Sequence, residues 1–169
     1  EEVVVAVDEI EHCLRRVAVG ARTHDGRGYG PVEERRRRPV PVVDLVGKTR
    51  LTDLAGVLQQ CDILVSNDTG TGHVAAAVGT RVLGLYFSSA YYSETAPYGL
   101  GNVIVQFEQP CSPCHEKTVC DDVPCRHAIT ADVVCEAACA MLEGRDPFPG
   151  KGFGHISISV SYTHLRAHE

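Results

Sequence analysis

Apolar residues along this chain fall into short blocks divided by polar and glycine-rich turns, and the blocks alternate between two periods. Residues 17–21, 42–46, 61–66 and 82–87 are short apolar runs, mostly of Val, Leu, Ile and Ala, bounded by breaker residues, which predicts buried strands. Between the second and third runs, Leu51, Leu54, Ala55 and Leu58 recur at helical spacing and predict a helix with one apolar stripe. Thr49 is its expected N-cap, and Asp53 falls in the first turn, where the helix dipole favours an acid. A second helix is expected from His73 to Val78, stopped by Gly79. Residues 103–105 offer a further strand. A last helix should begin after Thr130, with Val133, Val134, Ala137, Ala138 and Met141 on its inner face. Residues 1–15 fit either a strand or the end of a helix, and residues 22–39, rich in Gly, Arg and Pro, read as a loop. Strand, helix, strand, helix, strand with short connections predicts an α/β fold on a right-handed, doubly wound, parallel sheet.

The tail is different. Pro147, Pro149, Gly150, Gly152 and Gly154 interrupt any period, so residues 146–169 are expected to be loose. Residues 157–169 look like cloning sequence that lies outside the fold. Residues 1–145 are then the expected domain. The chain opens without Met inside an apolar run, which suggests a fragment of a longer protein.

Composition narrows the class. The chain has 169 residues, enough for one ordinary domain, and 44% of them are hydrophobic, which argues against disorder. Trp is absent and aromatics make up 6%, so aliphatic residues must build the core, as suits a sheet covered by helices. A net charge of -6 disfavours a nucleic-acid partner. The basic run Arg35 to Arg38, between Glu34 and Pro39, reads as a solvated turn or helix end. No stretch is long and apolar enough to cross a bilayer as a helix.

The chemistry concentrates in Asn67-Asp68-Thr69-Gly70-Thr71-Gly72-His73, a turn between a predicted strand and a predicted helix. Ligands of doubly wound sheets bind beyond the carboxyl ends of the strands. A helix start there offers unpaired N–H groups and partial positive charge. Gly70 and Gly72 let a phosphate approach the backbone, Thr69 and Thr71 add hydroxyls, and His73 adds a donor one turn in. Asp68 would repel phosphate and suits a capping role, the glycine turn or a sugar hydroxyl. The alternative is an ordinary capped turn with His73 packed in the core. The pattern is neither the dinucleotide-binding glycine motif nor a P-loop. Tyr86, Phe87, Tyr91 and Tyr92 either stack on a base or pack over the sheet edge.

The segment from Asp44 to Ala55, the run Cys61 to Thr80 with its Asn-Asp-Thr-Gly-x-x-His core, the Tyr98-Gly99 corner and Pro110-Cys111-Ser112-Pro113-Cys114 together resemble the C-terminal domain of family 9 glycosyltransferases, the heptosyltransferases. The resemblance covers roughly residues 40–142. It implies the Rossmann-like C-terminal half of a two-domain GT-B glycosyltransferase. The implied activity is transfer of a sugar, heptose above all, from an ADP-activated donor to the lipopolysaccharide core. Asp68, Thr69, Gly70 and His73 would hold the donor's diphosphate and sugar, and Glu33 or Glu34 would match an acidic residue on the ribose. The family's general base and its basic phosphate ligand would both lie upstream, so no catalytic residue is expected within this chain, and the fragment should be inactive alone. The acceptor would meet the missing domain. No cofactor is implied for catalysis. The location implied is cytoplasmic, at the inner face of the inner membrane, with peripheral membrane association. A nucleotide-sugar epimerase on the same architecture and a non-catalytic, zinc-stabilised binding module are the competing readings.

Eight cysteines without a secretion signal favour thiols or metal over disulfides. Cys111, Cys114, Cys120 and Cys125 lie close enough in sequence to surround a structural zinc, with free thiols or disulfides as the alternatives. Cys135 and Cys139, one turn apart on the last predicted helix, are expected to be buried and inert.

Overall fold

A computed structural model of the chain describes residues 3–10, 13–20, 42–87, 91–107, 114, 128–147 and 156–161. In chain order the elements are β1 (Val3–Ile10), β2 (Cys13–Gly20), β3 (Val42–Asp44), α1 (Leu51–Leu58), β4 (Ile63–Asn67), α2 (Gly70–Ala77), β5 (Arg81–Tyr86), α3 (Tyr92–Thr95), β6 (Asn102–Phe107), α4 (Ala131–Glu143) and β7 (Ile156–Ser161).

The described strands form one sheet in the order β3-β1-β2-β4-β5-β6-β7. Its middle is parallel: β2 pairs with β4, β4 with β5 and β5 with β6 in the same direction. Its two sides are antiparallel, β1 against both β2 and β3, and β7 against β6. The expected α/β, Rossmann-like architecture therefore holds for the parallel centre, and the wholly parallel sheet is corrected to a mixed one. Residues 1–15, which fitted two readings, supply β1 and the start of β2. Ile156–Ser161, expected in the loose tail, pair with β6 from Asn102↔Ser161 to Phe107↔Ile156. The alternation Ile-Ser-Ile-Ser-Val-Ser has the period of a strand, and the open edge of β6 gives it a partner.

Helices cover both faces, and alternation along the strands sorts their side chains between two cores. Leu64 of β4 and Val82 of β5 pack with Leu54 and Leu58 of α1 and Ala75 of α2. Ile63, Val65, Leu83, Val103 and Val105 pack on the other face with Ala137, Met141 and Leu142 of α4. Consecutive buried residues in β4 follow directly from this double cover. The inner face of α4 is the one expected, with Val133, Val134 and Ala138 partly buried against that core.

The helix ends explain where sequence and structure part. Asp53 accepts from the Arg50 backbone N–H at 3.1 Å and from Arg50 Nε at 3.0 Å, so Asp53 is the third helical residue counted from an Arg50 N-cap. That spacing makes Arg50 the cap in place of Thr49. Of the expected apolar stripe, Leu54 and Leu58 are buried, while Leu51, the first residue of the helix, is 64% exposed. At α4, Thr130 Oγ1 accepts from Val133 N and Gly144 closes the helix at φ 70°. The Gly144 conformation lets Arg145 N bond Ala140 O at 2.8 Å. Two side chains stitch layers together: Thr80 Oγ1 donates to Leu58 O at 2.6 Å, and Arg81 Nη1 to Met141 O at 2.7 Å.

Cys135 and Cys139 are exposed, as is Cys114. The expectation of buried thiols is corrected because α4 turns Ala137 and Met141 inward, and positions 135 and 139 lie on the opposite side of its helical wheel.

Candidate donor-binding site

The carboxyl ends of the parallel strands β2, β4, β5 and β6 share one edge of the sheet, and the turn from β4 into α2 stands at that edge. Asn67 ends β4, Asp68 follows, Thr69 is the N-cap in extended conformation, and Gly70 begins α2. Ser66, buried at the end of β4, donates to Asn67 O at 2.9 Å, and its oxygen lies 3.2 Å from Thr69 Oγ1. With the Ser66 proton on that carbonyl, Thr69 donates inward to Ser66. Thr69 makes no side-chain cap bond to α2. The first N–H groups of α2 have no carbonyl one turn back within the helix. Of these, Gly72 N–H reaches Thr69 O at 3.1 Å. Gly70 and His73 are exposed. An exposed His73 is not the core histidine of the alternative reading.

Two members of the turn face inward. Thr71 is 2% exposed, so its hydroxyl lies off the turn's outer surface. Gly72 is buried, and a Cβ there would meet Pro97 Cγ at 3.1 Å. Close packing of α2 against the chain after α3 therefore accounts for Gly72, and the outer surface is left to Asp68, Thr69, Gly70 and His73.

Asp68 is held from an element that sequence reasoning did not connect with it. Thr95 Oγ1, at the end of α3, donates to Asp68 Oδ2 at 3.2 Å. Tyr86, at the end of β5, donates to Thr95 O at 3.1 Å. Its ring lies beside Gly84, where a Cβ would come within 2.9 Å of Tyr86 Cε2. Burial, then the nearby charge of Asp68, push the Tyr86 phenol well above the ordinary tyrosine range. At 2% exposure Tyr86 has no face free to stack on a base, which corrects that part of the aromatic expectation. Tyr91 is 39% exposed and Tyr92 half-buried.

Two buried amides organise the surroundings. Gln106 Oε1 faces Tyr92 N at 3.4 Å, beneath the start of α3. Asn102 Oδ1 accepts from Val82 N at 2.8 Å, while its Nδ2 donates to Pro97 O at 3.1 Å and Gly99 O at 3.3 Å. Asn102 thus fixes Pro97, the residue packed on Gly72. No local motif flags the bonds of Asn102 to Val82, 20 positions away, or of Gln106 to Tyr92, 14 positions away.

Glu33, Cys111, Cys120 and Cys125 lie outside the described residues. Among the described residues no group of three metal-ligating side chains comes together.

The turn and its surroundings fall inside the segment that decides the family. The family model for glycosyltransferase family 9 (heptosyltransferase) matches residues 32–122, more than half of the chain. This chain belongs to glycosyltransferase family 9. Among curated proteins, the lipopolysaccharide core heptosyltransferase OpsX of Haemophilus influenzae is 39% identical over 69 residues, 39% of this chain and 19% of that protein. The lipooligosaccharide heptosyltransferase 2 of Campylobacter jejuni, serotype O:2, is 28% identical over 80 residues, 47% of this chain and 25% of that protein. The lipopolysaccharide heptosyltransferase 1 of Pseudomonas aeruginosa is 38% identical over 68 residues, 40% and 19% of the two chains. The matched part of this family 9 chain thus spans a quarter or less of each of these relatives. No solved structure gives a significant match.

Proposed function

We propose that this chain is the donor-binding half of a GT-B heptosyltransferase and holds an ADP-activated heptose at the β4–α2 turn. The observation that carries the reading is the inward turn of Thr69 onto Ser66. It leaves the start of α2 without a side-chain cap at the carboxyl edge of the parallel strands, next to an exposed His73. Uncapped N–H groups at a helix start, with a partial positive charge behind them, suit a diphosphate.

In this reading the chemistry is a single displacement at the anomeric carbon. A base outside this chain takes the proton of the acceptor hydroxyl, on the lipopolysaccharide core. The departing diphosphate is met by the N–H groups of Gly70 and Thr71 and by His73. Asp68, whose Oδ2 is engaged by Thr95, turns toward the sugar and away from the phosphates. The enzyme would act in the cytoplasm at the inner membrane face, where a lipid-borne acceptor is presented. A structural zinc on Cys111, Cys114, Cys120 and Cys125 is a separate proposal, tested by metal stoichiometry of the purified chain before and after chelation.

The donor site is tested by calorimetric titration of ADP into this chain and into an Asp68→Ala, Thr69→Ala, His73→Ala triple variant shown to be folded. Binding by the parent that the variant loses supports the reading. Equal binding by both moves the nucleotide elsewhere and overturns it.

A further inference from the structure

The short helix α3 has four residues, too few to be stable on its own. It is nonetheless held at both ends by buried polar side chains. Gln106, 1% exposed, meets the N–H of its first residue, Tyr92. Tyr86, 2% exposed, donates to the carbonyl of its last residue, Thr95. The room for the Tyr86 ring comes from Gly84, where a Cβ would meet both Tyr86 and Ile104 at under 3 Å. A buried phenol and a buried amide on neighbouring strands thus fix one helical turn whose outgoing product is the Thr95 hydroxyl.

That hydroxyl has one proton and lies in hydrogen-bond range of Asp68 Oδ2 at 3.2 Å and Tyr91 O at 3.3 Å, with the Tyr86 oxygen also beside it. Tyr91 O already accepts from Glu94 N at 3.0 Å. The carboxylate is the stronger acceptor, because a charged partner roughly doubles the strength of the bond. We propose that Thr95 is a positioning residue for the sugar end of the donor: α3 exists to tie Asp68 Oδ2 and, with the Tyr86 phenol beside the same carboxylate, to hold that carboxylate at one rotation toward a ligand hydroxyl. This inference rests on the donor-site reading above. Thr95 touches no reacting atom. It acts through Asp68, which lies immediately before the N-cap of α2 and cannot favour a phosphate there.

The consequence is a split between two ligands. A nucleoside diphosphate keeps its ribose but lacks the hydroxyls of the transferred sugar, and it should not sense Thr95. A nucleoside diphosphate sugar should. The test titrates ADP and ADP-heptose separately into the parent, Thr95→Val and Thr95→Ser, below the melting transition of each. Thr95→Val keeps the shape and removes the donor. It is expected to weaken ADP-heptose about tenfold, on the order of one charge-assisted hydrogen bond, while changing ADP by less than about twofold. Thr95→Ser should recover most of the ADP-heptose affinity. A purely structural Thr95 would make Val weaken both ligands alike, and that result overturns the proposal, as does a Ser variant as weak as Val or a Val variant equal to the parent. A parent that binds neither ligand overturns the donor-site reading and this inference with it; a parent that binds both, with Val unchanged, overturns this inference alone.

Discussion

Asn102→Ala is the most informative single change outside the turn, because Asn102 links the sheet to the site. Asn102 is 2% exposed, and its amide satisfies a donor and two acceptors: Val82 N at 2.8 Å, Pro97 O at 3.1 Å and Gly99 O at 3.3 Å. Alanine leaves Val82 N–H at the start of β5 and the Pro97 carbonyl without these partners. An orphaned buried group costs roughly 1–3 kcal/mol. Two of them, with Gly99 O less buried, put the loss at about 3–4 kcal/mol, which lowers the folded-to-unfolded ratio by more than about a hundredfold. Urea unfolding followed by circular dichroism measures it. The midpoint should fall with the slope unchanged, since the surface exposed on unfolding is nearly the same. Pro97 packs on Gly72, so α2 should shift as well, and ADP affinity should drop even where the variant is fully folded. Asn102→Asp sharpens the reasoning. It keeps the acceptor for Val82 N–H but points an oxygen at two carbonyls, so its carboxyl is raised above the ordinary range in the folded state. Stability of that variant should be greatest at acid pH and fall as pH rises from about 4 through the raised value. A loss of under about 1 kcal/mol for Asn102→Ala would show that water or a local shift takes over these bonds, and would refute the account of Asn102 as the bracket.

Three further outcomes are expected. Gly84→Ala should cost about 1–3 kcal/mol by overpacking, because the new Cβ meets Ile104 Cδ1 at 2.7 Å and Tyr86 Cε2 at 2.9 Å; an equal melting temperature for variant and parent would remove Gly84 from the account of the Tyr86 seat. The raised Tyr86 phenol keeps its proton in the folded chain while unfolded tyrosine ionises near about pH 10, so stability falls as pH climbs from there through the folded value. Tyr86→Phe should flatten that alkaline fall, and equal slopes for the two proteins would argue against the buried phenol. Finally, Cys135 and Cys139 should react promptly with a chromogenic disulfide in the native chain, with Cys61, half-buried and donating to Val57 O, slower. A Cys135→Ser, Cys139→Ser variant that keeps the same number of fast thiols would put that face of α4 against something else.

Local sequence determined much of this protein. The periods of β4, α2, β5 and α4 are set by near neighbours, as is the start of α4 after Thr130, so their existence and type were legible. The Asn67 to His73 turn was legible for the same reason, since a strand end, glycines and a helix start are adjacent in the chain. The misplaced N-cap at Thr49 shows the limit of that reasoning, for the Arg50–Asp53 pair, both close in sequence, carried the better spacing.

What only the tertiary structure decided is direction and partnership. Strand runs do not say which neighbour they pair with, so the antiparallel sides formed by β1, β3 and β7 follow from the edges the parallel centre leaves open. The outward face of Cys135 and Cys139 depends on where the sheet lies beneath α4. Thr69 and Thr71 are chemically alike in the sequence, yet one stands at the turn's surface bonded to Ser66 and the other is buried. Asp68 and Thr95 are 27 positions apart and meet only because β5 and the one-turn α3 carry Thr95 back over the end of β4. A hydrogen bond of that span leaves no periodic trace, because each partner's residue type is common and only the fold sets the distance between them.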